Sequence, residues 1–152
     1  TLGVILKNAG IDCNEIEVKS NEVFFLRDNQ LVFPVAAKEK LVKKADGWAL
    51  DIYVFSPRPL DDLLIEPNMP KLTLVVKAKE CQLAINDKAY VAASQNRHEA
   101  TYKELPLLQG WNKVSIKIGE RDKNEFSGNF RCDNRNEFLS SLKVMFVNPE
   151  VK

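Results

Sequence analysis

A hydrophobic period of two, recurring along most of the chain, constrains what it can fold into. Trp48, Leu50, Ile52 and Val54 alternate with Ala49, Asp51, Tyr53 and Phe55. Leu72, Leu74 and Val76 alternate with Lys71, Thr73, Val75 and Lys77, and Val114, Ile116 and Ile118 with Lys113, Ser115 and Lys117. Phe126, Gly128, Phe130 and Cys132 oppose Ser127, Asn129 and Arg131, and Leu142, Val144 and Phe146 repeat the pattern before Asn148-Pro149 closes it. Successive side chains of an extended strand point to opposite faces, so each run predicts a strand with one buried face and one wet face. Shorter strands are predicted at 23–26, 31–35, 81–85, 89–93 and 100–104. Helical periodicity is poor, with single turns predicted only at 59–65 and 136–142. About nine or ten short strands without intervening helices lack the long crossovers that parallel pairing needs, so they predict an all-β, antiparallel β-sandwich.

Turn residues fall between the runs. Asn86-Asp87-Lys88 reads as a hairpin turn, because Asn and Asp tolerate the left-handed conformation. Gly110 and Gly119 bracket one strand and Asp46-Gly47 leads into another. Residues 21–152 read as a single sandwich domain; residues 1–20 read as edge strands or a lead-in from a preceding domain. Without an initiator Met or a basic-then-apolar leader, the chain reads as a processed protein or a segment of something longer, the second being favoured.

Composition narrows the function classes. The 152 residues carry 22 basic and 21 acidic side chains, a net charge of +1. That balance argues against a nucleic-acid partner, which needs concentrated Lys and Arg, and favours an uncharged ligand over an ionic one. No apolar run approaches the ~20 residues of a membrane-spanning helix. Cys13, Cys81 and Cys132 allow at most one internal disulfide and read as small buried hydrophobes. With no C-x-x-C pair and one histidine, His98, a structural zinc site is not expected.

One stretch has a more specific logic. Ile85-Asn86-Asp87-Lys88 is followed by Ala89-Tyr90-Val91, then Leu105-Pro106-Leu107-Leu108-Gln109, then Gly110-Trp111-Asn112-Lys113-Val114 opening an alternating strand. The order resembles galactose-binding-like β-sandwich domains over residues 47–147, with Asp87 standing where that family usually has Gly. The resemblance implies a jelly roll serving as a non-catalytic carbohydrate-binding module of a larger carbohydrate-active protein. Its partners would be a glycan and neighbouring domains, and its location secreted, cell-surface or periplasmic. The alternative is a structural spacer that packs against a catalytic domain and binds no sugar.

Glycan recognition needs aromatic faces beside polar groups. Tyr53 and Asp51 share the solvent face of their strand and form the candidate platform, while Trp48 has core parity. Trp111 sits at a strand entry, and Tyr102 and Arg97, with His98, are expected in or near a polar loop. Glu120, Asp122 and Asn124 offer oxygens at the spacing of calcium loops, but lack the glycine and carry interleaved Arg121 and Lys123, so a solvated turn is expected. No cofactor is otherwise expected. No G-x-S-x-G, H-E-x-x-H, P-loop or G-x-G-x-x-G motif points to catalysis.

Overall fold

The computed structural model of the protein describes residues 23–60, 71–132 and 136–146. They build two antiparallel sheets. The first has the spatial order β1 (Phe25–Arg27), β2 (Gln30–Val32), β11 (Ser127–Cys132), β5 (Leu72–Lys77), β9 (Ala100–Leu105) and β8 (Ser94–Gln95). The second has the order β12 (Lys143–Met145), β4 (Gly47–Ser56), β10 (Gly110–Gly119), β6 (Cys81–Ile85) and β7 (Lys88–Tyr90), with β3 (Val42–Lys44) also on β4. Two short helices, α1 (Ala37–Lys40) and α2 (Asn136–Ser141), lie in connections.

The period-two runs account for this arrangement. Leu50, Ile52, Val54, Val114, Ile116 and Ile118 face inward from the second sheet. Leu72, Leu74, Val76, Phe130 and Cys132 meet them from the first, in one hydrophobic core. Full burial of each large apolar side chain stabilises the fold by about 1.5–3 kcal/mol. The all-β sandwich expected from the alternation is therefore the architecture of the described residues.

The β4–β10 pair fixes the outer surface. It runs without a slip from Gly47 opposite Gly119 to Ser56 opposite Gly110. That register sets Trp111 opposite Phe55, Lys113 opposite Tyr53 and Ser115 opposite Asp51. A one-residue slip would turn Ile52 and Val54 to solvent, so burial holds the alignment. Gly47 lets the strands approach at one end, since a Cβ there would overlap the Ile118 carbonyl oxygen.

The Asn86-Asp87 hairpin has positive φ at both central residues, 51° and 69°, as its turn type requires. Asp28 and Asn29 form a second such turn between β1 and β2. The strand predicted at 31–35 stops at Val32, because the chain bends at Pro34 into α1; the turn accepts Ala37 N–H at the Pro34 carbonyl. Helix α2 lies in the predicted 136–142 turn. At the start of the predicted 59–65 turn, Leu60 instead makes an isolated antiparallel bridge to Leu107. The remainder of that turn, residues 1–20 and Cys13 lie outside the described residues.

Candidate functional site

Tyr53, Asp51 and Trp111 share the outer face of the second sheet. Asp51 and Tyr53 are alternate residues of β4, so their side chains project together, two residues apart. Trp111 lies diagonally across from Tyr53 on β10, and its ring meets Phe55 edge-on at 5.5 Å between centroids. Lys113, opposite Tyr53, brings its Nζ to 4.0 Å from Asp51 Oδ2. Part-burial raises the Tyr53 phenol above its ordinary range, and the Asp51 charge adds to this while Lys113 opposes it. Tyr53 thus keeps its hydroxyl proton at neutral pH and can donate it to a ligand.

A groove of about 260 Å³ opens beside this strip. Its position follows from the strand pairing: β3 covers residues 47–49 of β4 and β12 covers 53–55, leaving an interval on that edge. Asp51, Tyr53, Ala49 and Leu50 line one side, and Val42, Lys44, Lys40 and Phe146 the other. Phe146 packs against Phe24 at 5.1 Å, and Phe24 against Phe33 at 5.2 Å, so an aromatic cluster backs that wall.

The strand entry at Trp111 is held by Asn112, which is 1% exposed. Its Nδ2 donates to the carbonyls of Leu108, Gly110 and Val54 at 2.9, 3.1 and 3.3 Å. Its Oδ1 accepts from Leu108 N–H at 2.8 Å and from Asn86 Nδ2 at 2.9 Å. Asn86 Oδ1 in turn accepts Lys113 N–H at 2.9 Å. The two turns that carry the resemblance are therefore one hydrogen-bonded unit. The indole N–H of Trp111 is buried without a hydrogen-bond partner among the described residues.

The other expected site residues lie elsewhere. Tyr102 is not in a polar loop: it faces inward from β9 and is 1% exposed, so it presents no surface to a ligand. It hydrogen-bonds the Cys81 thiol, and burial foremost raises both groups' pKa. Arg97 is exposed in the loop between β8 and β9, on the first sheet and away from the Tyr53 strip. In that loop Asn96 Oδ1 accepts the N–H groups of His98 and Glu99 at 2.7 and 2.9 Å. A second groove, of about 470 Å³, lies beside it and has Lys38, Lys77, His98, Glu99 and Glu125 on its walls.

Trp48 is part-buried against the core, as its parity predicts, and has the ammonium groups of Lys43 and Lys123 at 5.4 and 4.1 Å from its ring centroid. Two of the three candidate calcium-loop oxygens in the 119–125 turn, those of Glu120 and Asp122, have structural partners. Asp122 accepts three backbone N–H groups, from Lys79, Glu80 and Gly119, at 2.9–3.1 Å. Glu120 meets Lys43 Nζ at 3.2 Å. Among the described residues no group of three or more His, Cys, Asp or Glu side chains is placed to hold a metal ion.

Neither protein-family models, nor curated proteins, nor solved structures match this chain.

Proposed function

We propose that this chain is a non-catalytic carbohydrate-binding module of a larger carbohydrate-active protein working outside the cell or in the periplasm. The observation that carries the reading is the convergence of Tyr53, Asp51 and Phe146 on one groove at an interrupted sheet edge. Aromatic carbon offers a surface for the C–H face of a sugar, while a phenol donor and a carboxylate acceptor beside it suit ring hydroxyls. A jelly-roll construction agrees with this. Eight strands follow the orders β2-β11-β5-β9 and β4-β10-β6-β7, and successive strands cross between sheets except at the β6–β7 hairpin. This is the pairing of two Greek keys wound into a double sheet.

Affinity electrophoresis through a panel of soluble polysaccharides tests the proposal. At least one glycan should retard the protein, and Tyr53→Ala should weaken that binding at least about fivefold, as loss of a central aromatic anchor does. No retardation by any glycan, or unchanged binding by Tyr53→Ala, defeats the reading at this site.

A second reading has its own observation. On edge strand β1, Phe25 and Leu26 are 44% and 50% exposed, one on each face of the strand, so this sheet edge presents apolar surface to a neighbouring domain. A structural spacer uses that edge, and under this reading the glycan panel stays silent.

A further inference from the structure

We infer that the second groove, at the end of the first sheet, binds a short zwitterionic peptide carrying both ammonium and carboxylate groups. The Tyr53 groove and its glycan play no part in this. Lys38, Lys77, Glu99 and Glu125 all line the second groove, two ammonium groups and two carboxylates. Among the described residues, none of these four side chains makes an ion pair or a hydrogen bond. Elsewhere opposite charges of this chain do find each other: Glu120 meets Lys43, Glu104 meets Lys71 and Asp46 meets Lys117. Here equal numbers of each sign share one concavity and stay apart.

The fold holds these charges in place without using them. Lys77 ends β5, and Glu99 stands just before Ala100, which is opposite Val76 on the neighbouring strand. Asn96 Oδ1 accepts the N–H groups of His98 and Glu99, and Gln95 Nε2 donates to the carbonyls of Asn96 and Glu99 at 2.7 and 3.1 Å. Those bonds fix the loop backbone, and the Glu99 carboxylate takes part in none of them. Glu125 closes a single helical turn, Lys123–Glu125, where Phe126 N–H donates to the Lys123 carbonyl at 3.2 Å. Lys38 is carried by α1, whose N–H groups at 37, 38 and 39 bond the carbonyls of Pro34, Val35 and Ala36. A site whose backbone is already ordered gives up less entropy on binding.

The charges select the ligand. An anion alone meets two carboxylates and a cation alone meets two ammonium groups, so each loses to repulsion what it gains by attraction. Phe126, the one phenyl ring on this lining, is 1% exposed and packed on Phe33 at 6.1 Å. A sugar ring therefore has no phenyl face to stack on here. A single amino acid answers one charge of each sign, whereas a peptide with acidic and basic side chains answers all four. The volume of about 470 Å³ falls within the roughly 300–1,000 Å³ of small-ligand sites, and the His98 imidazole adds a hydrogen-bonding group to the wall.

Calorimetric titration at neutral pH tests this with five probes: lysyl-glutamate, glycine, glutarate, cadaverine and the uncharged acetyl-alanyl-alanine amide. Lysyl-glutamate, with two ammonium groups and two carboxylates, should bind at least about tenfold more tightly than any other probe. Its affinity should fall as sodium chloride rises. Glu99→Gln and Lys77→Met should each lower it about threefold, the worth of one exposed ion pair. Tyr53→Ala, in the other groove, should leave it unchanged.

Equal affinity for lysyl-glutamate and the uncharged peptide overturns the inference, as does no binding of lysyl-glutamate at millimolar concentration. Tighter binding of glutarate or cadaverine shows that one sign dominates the groove and defeats the zwitterion. Glycine binding as tightly as the dipeptide defeats the peptide. A loss in Tyr53→Ala equal to that in Glu99→Gln places the ligand in the other groove and overturns the assignment too. The polysaccharide panel is untouched by any of these outcomes, so the glycan reading stands or falls separately.

Discussion

Asn112 shows how much one buried polar side chain organises here. Its amide satisfies backbone groups of Leu108, Gly110 and Val54 and reaches the Asn86 side chain, all from a position 1% exposed. Replacing it with Ala strands the Leu108 N–H and several carbonyls in a part-buried loop, and each unsatisfied group costs about 1–3 kcal/mol. Asn112→Ala should therefore lose about 3 kcal/mol, seen by calorimetry as a melting temperature lower by about 10 °C. A loss under 1 kcal/mol would mean that water replaces the amide without penalty. Tyr102 carries a related lesson about testing sites. Because its ring is in the core, Tyr102→Ala costs about 3–5 kcal/mol and removes binding by unfolding, whereas Tyr53→Ala changes a part-exposed surface.

At the scale of elements, the β6–β7 hairpin separates two residues that share a conformation. Asn86 and Asp87 both have positive φ, but the Asn86 side chain bonds Asn112 and the Lys113 N–H, whereas Asp87 is exposed. Glycine relieves left-handed strain in either place and keeps the bonds only in the second. Asp87→Gly should raise stability by about 0.5–1 kcal/mol, read as a higher urea midpoint, and Asn86→Gly should lower it. Equal effects at the two positions would contradict the bonding scheme. This hairpin was legible because local residue types decide it, as were β4 and β10, whose alternation spans ten residues; β5 is a strand as predicted, but Thr73 and Val75 are buried too, so the wet face expected there is covered. Strands β3 and β8 have three and two residues, too short for a period to emerge. Tyr102 was misplaced for a similar reason. The inward series Ala100, Tyr102 continues to Leu105 only across a register irregularity, where Glu104 has φ 54°, so strict alternation is lost. The outward pairing of Asp51 with Tyr53 could be read from parity, but the groove could not. It joins Lys44 to Phe146 through two strands that meet the same edge of β4 from distant parts of the chain.

For the whole molecule, the question is whether the sandwich behaves as one cooperative body. Its two tryptophans sit at opposite ends of the long β4–β10 ribbon: Trp48 opposite Ile118, and Trp111 opposite Phe55. At the Trp48 end the indole N–H donates to the Glu120 carbonyl at 3.1 Å, and Asp122 ties the 79–80 connection to Gly119. At the Trp111 end the Asn112 network ties the loop after β9 to the β6–β7 turn. Between them runs a single core drawing residues from both sheets, so neither end can open far without exposing apolar side chains that the other also needs. Trp48→Phe and Trp111→Phe each leave one fluorescent reporter. In each variant the fluorescence and far-ultraviolet circular dichroism transitions in urea should coincide, because both follow loss of the same core. A Trp48 signal that changes at lower urea than the dichroism would instead make the 119–125 end a separately opening unit. Coincidence at both ends would mean that the strip bearing Tyr53, Asp51 and Trp111 stays assembled as long as the fold does. A binding defect in a folded Tyr53 variant could then be assigned to the groove.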